Sequence, residues 1–257
     1  MTQKSATPLY RELAPARDLR EHVLCGWVLG PVSRDTEAVL PDGCMDIVWR
    51  EGHGLVAAGP DTGPAQTSRP PGSTVVGIRF RPGAGPAMLG VPAGELRDLR
   101  VPLGDLWGSD AERLEDGLHD AASASARLEL LDAALRRRLG RADYPDGLVA
   151  AAVARLSGDR RTRVREIGET LGISERQLRR RFHAAVGYGP KTLARVLRLQ
   201  RMLGLAAART SERPDLASLA LDAGYADQAH MTAESTTLTG KPPARLLASR
   251  QPLTASA

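Results

Sequence analysis

The 257-residue chain has two cysteines, three lysines and five histidines, and its basic residues exceed its acidic ones by only 35 to 30. Two cysteines cannot staple a disulfide scaffold. No apolar run reaches the roughly 18 residues that a membrane helix needs. No apolar stretch follows Lys4, so a secretory leader is not expected and the cytoplasm is the expected compartment. Among His22, His53, His119, His183 and His230 no Ser-His-Asp order stands out. Paired carboxylates and a phosphate-binding loop are missing as well, so neither an enzyme nor a bound cofactor is expected. The net charge of +5 names no partner by itself.

What is present says more. Apolar residues make up 42% and charged residues 25%, enough for a packed core at a length that suits two ordinary domains. Gly (26) and Pro (18) are abundant, which argues for a loop-rich portion rather than an all-helical chain. The charge is also uneven. Residues 1–143 carry 17 basic and 20 acidic side chains, whereas residues 144–257 carry 18 and 10. The basic half is the one to test against nucleic acid.

Residues 1–107 read as short strands between Gly/Pro turns. Val23, Cys25, Trp27 and Leu29 alternate with Leu24, Gly26 and Val28; Met45, Ile47 and Trp49 alternate with Asp46, Val48 and Arg50; Val76, Ile78 and Phe80 share a face. Period-two patterns of this kind predict strands with one wet face. A small antiparallel sandwich or barrel is expected, with residues 60–72 as an exposed loop. Over 111–140 the leucines recur every three to four residues, which predicts helices that act as a connector or a dimerisation segment. From Tyr144 to 249 the pattern is helical, broken at Gly158, Gly172, Gly187–Pro190, Arg213-Pro214, Gly224 and Gly240–Pro243 into about seven helices. The expected class is thus α+β: a β-rich domain (1–107), a helical connector (108–143), an all-α domain (144–249) and a tail (250–257).

The all-α part contains a repeat. Ser174 and Asp227, Gly187 and Gly240, and Pro190 and Pro243 all stand 53 residues apart, while Gly172 and Gly224 stand 52 apart. Each copy reads as helix, tight turn, helix. Gly172 and Gly224 suit the left-handed end of the first helix. Ser174 caps the second helix and forms a capping box with Gln177, and Asp227 caps its counterpart. Leu178 and Phe182 face inward, and the small Gly168 and Ala220 sit where the paired helices cross. Two helices joined in this way form the DNA-reading helix-turn-helix unit. The outward face of 174–186 carries Arg176, Arg179, Arg180 and His183, a basic face on a helix that fits a major groove. Between the copies, Lys191 to Ala208 predicts a helix of about 27 Å. That rod could hold two reading helices near one DNA turn apart. Lys191 and Arg198 on it are counted with the DNA-contacting residues.

These features carry a resemblance. The stretch Gly172 to Phe182, the turn Gly187–Pro190, Gly224-Tyr225-Ala226-Asp227-Gln228-Ala229-His230 and Leu238–Pro243 resemble the C-terminal DNA-binding domain of AraC/XylS-family transcriptional regulators. The resemblance covers about 144–249. It implies double-stranded DNA as partner, read by Arg176, Arg179 and Arg180 in the first copy and by Gln228, Ala229 and Thr232 in the second. It also implies a separate ligand-sensing domain, and contact with RNA polymerase if the protein activates. The second copy departs from the family pattern. Ala233 stands where an Arg is common, Ser235 where a core Phe is common, and Thr236 and Thr237 where basic residues are frequent. The first motif is therefore expected to supply most of the affinity. Burial lost at Ser235 is worth about 1.5–3 kcal/mol.

The N-terminal part resembles an uncharacterised sensor domain of some such regulators through Cys25-Gly26-Trp27, Leu40 to Asp46, Val76 to Gly83 and Leu89-Gly90. Some family members sense through a cupin-like barrel, and this domain could enclose a similar pocket. Trp27, Asp46, Trp49 and Arg79 are candidate effector-pocket residues. Cys25 and Cys44, with His22 and His53, invite a redox or metal reading. Cys25 also reads as a plain buried thiol, and Asp42 and Asp46 would work against a reactive Cys44. The alternatives to a ligand-controlled regulator are a DNA-associated enzyme, a thiol-based sensor and an architectural DNA-binding protein. An alkyl-accepting repair enzyme would need a four-cysteine zinc site that two cysteines cannot build.

Overall fold

The computed structural model describes residues 10–30, 36–68, 72–142, 144–158, 164–209 and 215–249. The Arg213-Pro214 break and the 250–257 tail lie outside them. In the N-terminal part, β1 (Tyr10–Leu13), β2 (Val23–Leu29), β4 (Asp46–Arg50), β5 (Gly54–Ala58), β7 (Val75–Phe80) and β8 (Arg100–Pro102) form one antiparallel sheet in the order β1-β2-β7-β4-β5-β8. A second, two-stranded sheet pairs β3 (Thr36–Val39) with β6 (Ala65–Ser68). The sheet ends at β1 and β8, so the described strands do not close a barrel. The expected loop at 60–72 is also corrected, because Ala65–Ser68 is paired and Gly59 and Pro60 are buried.

Alternation sorts the side chains to two faces. Ile47, Trp49, Leu55, Ala57, Val76, Ile78 and Phe80 enter the main core. Cys25, Trp27 and Val75 form a second cluster with Tyr10, Leu29 and Val48. A register shift between Val23 and Cys25 sends Val23 into the main core, away from the Cys25–Trp27 face where simple alternation had put it. Neither face is open to water as expected, since residues of both are buried. Trp27 lies across its partner Gly77, where a Cβ would come within 2.4 Å of the indole.

The short helices α1 (Gly85–Leu89) and α2 (Leu103–Trp107) lead to α3 (Ser109–Asp120) and α4 (Ala124–Leu139). Leu114, Leu118, Leu128, Leu131 and Leu135 join the sheet's own core. The leucines that suggested a self-association surface are therefore internal packing. Arg127 lies over the Trp49 ring at 4.3 Å and Arg138 over Trp107 at 4.4 Å.

Seven helices follow among the described residues: α5 (Gly147–Gly158), α6 (Val164–Leu171), α7 (Glu175–Val186), α8 (Pro190–Ala208), α9 (Leu216–Ala223), α10 (Gln228–Thr239) and α11 (Pro243–Ser249). They hold two cores. Val149, Ala152, Ile167, Leu178, Phe182 and Leu193 fill the first, and Val196, Leu199, Met202, Leu219, Met231, Leu238 and Leu246 fill the second. Helix α8 contributes to both. At 19 residues it spans about 28 Å.

Candidate nucleic-acid interface and sheet cavity

The two helix pairs are built alike. Gly172 and Gly224 have φ of +66° and +92°, a region open to glycine at little cost. The matching bonds Ile173 N–H to Gly168 O (3.0 Å) and Tyr225 N–H to Ala220 O (2.9 Å) close both turns. Ser174 Oγ accepts from Gln177 N–H at 3.2 Å, and Gln177 Oε1 accepts from Ser174 N–H at 2.9 Å. Asp227 Oδ1 accepts from His230 N–H at 2.7 Å.

On α7, Arg176, Arg179, Arg180 and His183 are all exposed, while Leu178, Phe182 and Val186 are buried. The far end of α7 packs against the N-terminal part. There, a Cβ on Gly187 would meet Pro60 at 2.5 Å, and one on Gly94 would meet His183 O at 3.1 Å. Arg176 and Arg179 thus stand on the N-terminal half of the helix, the half that reads bases in such motifs, while Arg180 borders a cleft that Pro86 and Arg138 of the N-terminal part also line. Arg181 points elsewhere. It pairs with Asp146 Oδ2 at 2.6 Å, and Asp146 Oδ1 caps α5 through Leu148 N–H (3.0 Å) and Val149 N–H (3.3 Å). Burial alone would raise the Asp146 pKa, but the Arg181 bond and the two backbone donors outweigh it and hold the carboxyl below its usual range.

On α10, Gln228, Ala229, Ala233, Thr236 and Thr237 are exposed and Thr232 is half-buried, a face without a cation. The Thr232 hydroxyl donates to Gln228 O at 2.8 Å. Ser235 is fully buried, and Thr239 Oγ1 donates to its carbonyl at 2.8 Å.

Lys191 is exposed at the start of α8, whereas Arg198 is half-buried. Its guanidinium forms a two-pronged pair with Glu234 of α10 (2.7 and 3.2 Å) and lies 5.6 Å from the Tyr225 ring. Arg195 and His230 approach the same carboxylate at 3.4 and 3.2 Å. Arg198 therefore ties α10 to α8 through Glu234. The signal was present in sequence as an acidic residue on an otherwise neutral helix, but spacing alone does not pair positions 36 residues apart.

The second sheet face borders a cavity of about 120 Å³, lined by Trp27, Asp46, Arg79, Val48, Asp61 and Arg100, with Val39 and Thr67 from the β3–β6 ribbon. Asp46 accepts from Trp27 Nε1 (3.2 Å) and from Arg79 Nε and Nη2 (3.2 Å each). Burial raises the Asp46 pKa despite the Arg79 charge, with Asp42 adding to the rise. Arg100 pairs with Asp61 at 2.6 and 2.9 Å. Of the four expected pocket residues, three meet here. Trp49 does not, because on β4 it alternates with Asp46 and faces the main core, 2% exposed.

Cys25 and Cys44 are both buried free thiols. Burial and then nearby Glu12 push Cys25 up to about 12, and burial and then Asp42 push Cys44 well above its ordinary value. Both directions favour the thiol over the thiolate that redox or metal chemistry uses. His53 is exposed and His22 buried, and no group of three His, Cys, Asp or Glu among the described residues is placed to hold a metal. No helix among them is long and apolar enough to cross a membrane.

Comparison with known families matches residues 167–249 to a helix-turn-helix domain and residues 11–102 to a domain of unknown function. No curated protein matches the chain. Among solved structures, ToxT of Vibrio cholerae is similar in two forms. An apo variant has TM-score 0.45 at 12% identity, covering 87% of this chain and 96% of that one. The wild-type protein with bound unsaturated fatty acid has TM-score 0.44 at 9% identity, covering 99% and 100%. The helix-turn-helix match over 167–249 spans both capped helix pairs, so the family match and the geometry agree on a helix-turn-helix domain in the C-terminal part of the chain.

Proposed function

We propose that both helix pairs dock on one face of duplex DNA, α7 and α10 in successive major-groove segments, and that the first dominates. The observation that carries this reading is the contrast between the two outward faces: three exposed arginines and His183 on α7, neutral side chains on α10. Arginine supplies phosphate attraction and two-pronged guanine contacts, whereas threonine, glutamine and alanine supply weaker hydrogen bonds and methyl contacts. Helix α8 sets the spacing. The N-terminal sheet domain with α3 and α4 is the sensor, and its effector is a small molecule held in the cavity by the Trp27–Asp46–Arg79 cluster and the surrounding valines. Selection of duplexes from a random pool by the purified chain tests the reading. Enrichment of a non-palindromic pair of segments, one strongly and one weakly defined, supports it. A pool that stays unselected in low salt refutes it.

A further inference from the structure

The turn between β3 and β4, residues 40–45, belongs to two structures at once. Toward the sheet, Asp42 and Cys44 line the cavity. Asp42 Oδ1 accepts from Cys44 N–H at 2.9 Å, and Asp42 Oδ2 lies 3.3 Å from Arg79 Nε. Toward the DNA-binding domain, Leu40 is buried in the α8–α11 core with Val196, Leu199 and Leu203. Pro41 O accepts from Gln200 Nε2 of α8 at 2.6 Å. Gly43 has φ +86°, and a Cβ there would stand 2.8 Å from Leu193 Cδ1 of the same helix. Six residues thus join the pocket's ion cluster to the rod that spaces the two motifs.

The cluster has a replaceable member. Asp46 is held by two guanidinium nitrogens and the Trp27 indole, and Glu12 stands 4.0 Å from Arg79 on the other side. Asp42 Oδ2 lies 3.3 Å from the Arg79 Nε that donates to Asp46, a charge contact beside that hydrogen bond. Losing Asp42 leaves Arg79 still paired, so the exchange does not strand a buried charge. We propose that the 40–45 turn couples the ion pairing of Arg79 to the seating of α8: a molecule that displaces the Asp42 carboxylate from beside Arg79 releases the turn, loosens its hold on Leu193 and Gln200, and so alters the spacing of the two motifs. The inference rests on the cavity reading only for what displaces Asp42; the link from Arg79 to α8 stands or falls by itself. Coupling of this kind is reciprocal.

Hydrogen exchange on the full chain, without any ligand, tests the link from both ends. In Asp42→Asn, amides of 40–45 and of 190–203 are expected to exchange at least about fivefold faster, with α4 unchanged. In Gln200→Ala, the same increase is expected at 40–45 and is expected to reach 77–80 of β7. Faster exchange confined to the sheet in the first variant, or to α8 in the second, overturns the proposal. If Asp42→Asn loses protection in α4 as well, the chain has unfolded and Gln200→Ala decides alone. A cavity that binds nothing would refute the effector reading yet leave this link standing, provided exchange spreads in both variants.

Discussion

Replacing Arg179 with alanine should weaken DNA binding far more than replacing Thr232, although the two stand on corresponding reading helices. Arg179 is exposed on the N-terminal half of α7. A contact to a guanine edge or a phosphate is worth about 1–3 kcal/mol, a loss of about 5- to 150-fold in affinity. Thr232 is half-buried, and its hydroxyl proton already goes to Gln228 O at 2.8 Å. Thr232→Ala therefore costs about 0.5 kcal/mol, roughly twofold. Fluorescence-anisotropy titration of a selected duplex at fixed salt measures both. A salt series adds the assignment: if Arg179 meets phosphate, the slope of log affinity against log salt falls by about 0.9; if it meets a base, the slope holds and discrimination at one position is lost. Equal losses in the two variants would refute the reasoning, since they would mean the neutral face of α10 contributes as much as the arginines.

Asp146 should set part of the acid limit of stability. Its pKa is held low in the folded chain, so the stability it lends is present above its unfolded value near 3.9 and is lost as pH falls through the folded value. Thermal unfolding of Asp146→Asn should show a lower Tm at neutral pH and a smaller difference from the unaltered chain as the pH falls below 3.9; a gap that persists at low pH contradicts this. Glu234→Ala should cost about 2–3 kcal/mol in urea unfolding, below the 3–5 of a fully buried pair because Arg198 and Glu234 are 22% and 13% exposed. An unchanged midpoint would show that the Arg198 clamp carries no stability.

The helix-turn-helix domain was largely legible because its information is local. Caps, turn glycines and inward leucines lie within a few residues of one another, so Ser174, Gln177, Gly172 and Gly224 could be placed from spacing alone. The Arg198–Glu234 clamp and the Arg181–Asp146 pair were not legible, because they join residues brought together only by packing. In the sheet domain, period two placed Val76, Ile78 and Phe80 together and should have separated Trp49 from Asp46, which it also put on opposite faces. The bulge beside Val23, the pairing of Thr36–Val39 with Ala65–Ser68 and the burial of both sheet faces depend on long-range partners. The leucines of 111–140 had the spacing of an interface and of a core alike, and only tertiary contact distinguishes the two.

Hydroxyl-radical footprinting of the full chain on a selected duplex tests the central claim most directly. Two protected patches on one face of the duplex, centred about 10 base pairs apart and unequal in strength, are predicted, with the stronger one lost in Arg179→Ala. A single patch, two patches on opposite faces, or a footprint that Arg179→Ala leaves intact would contradict it.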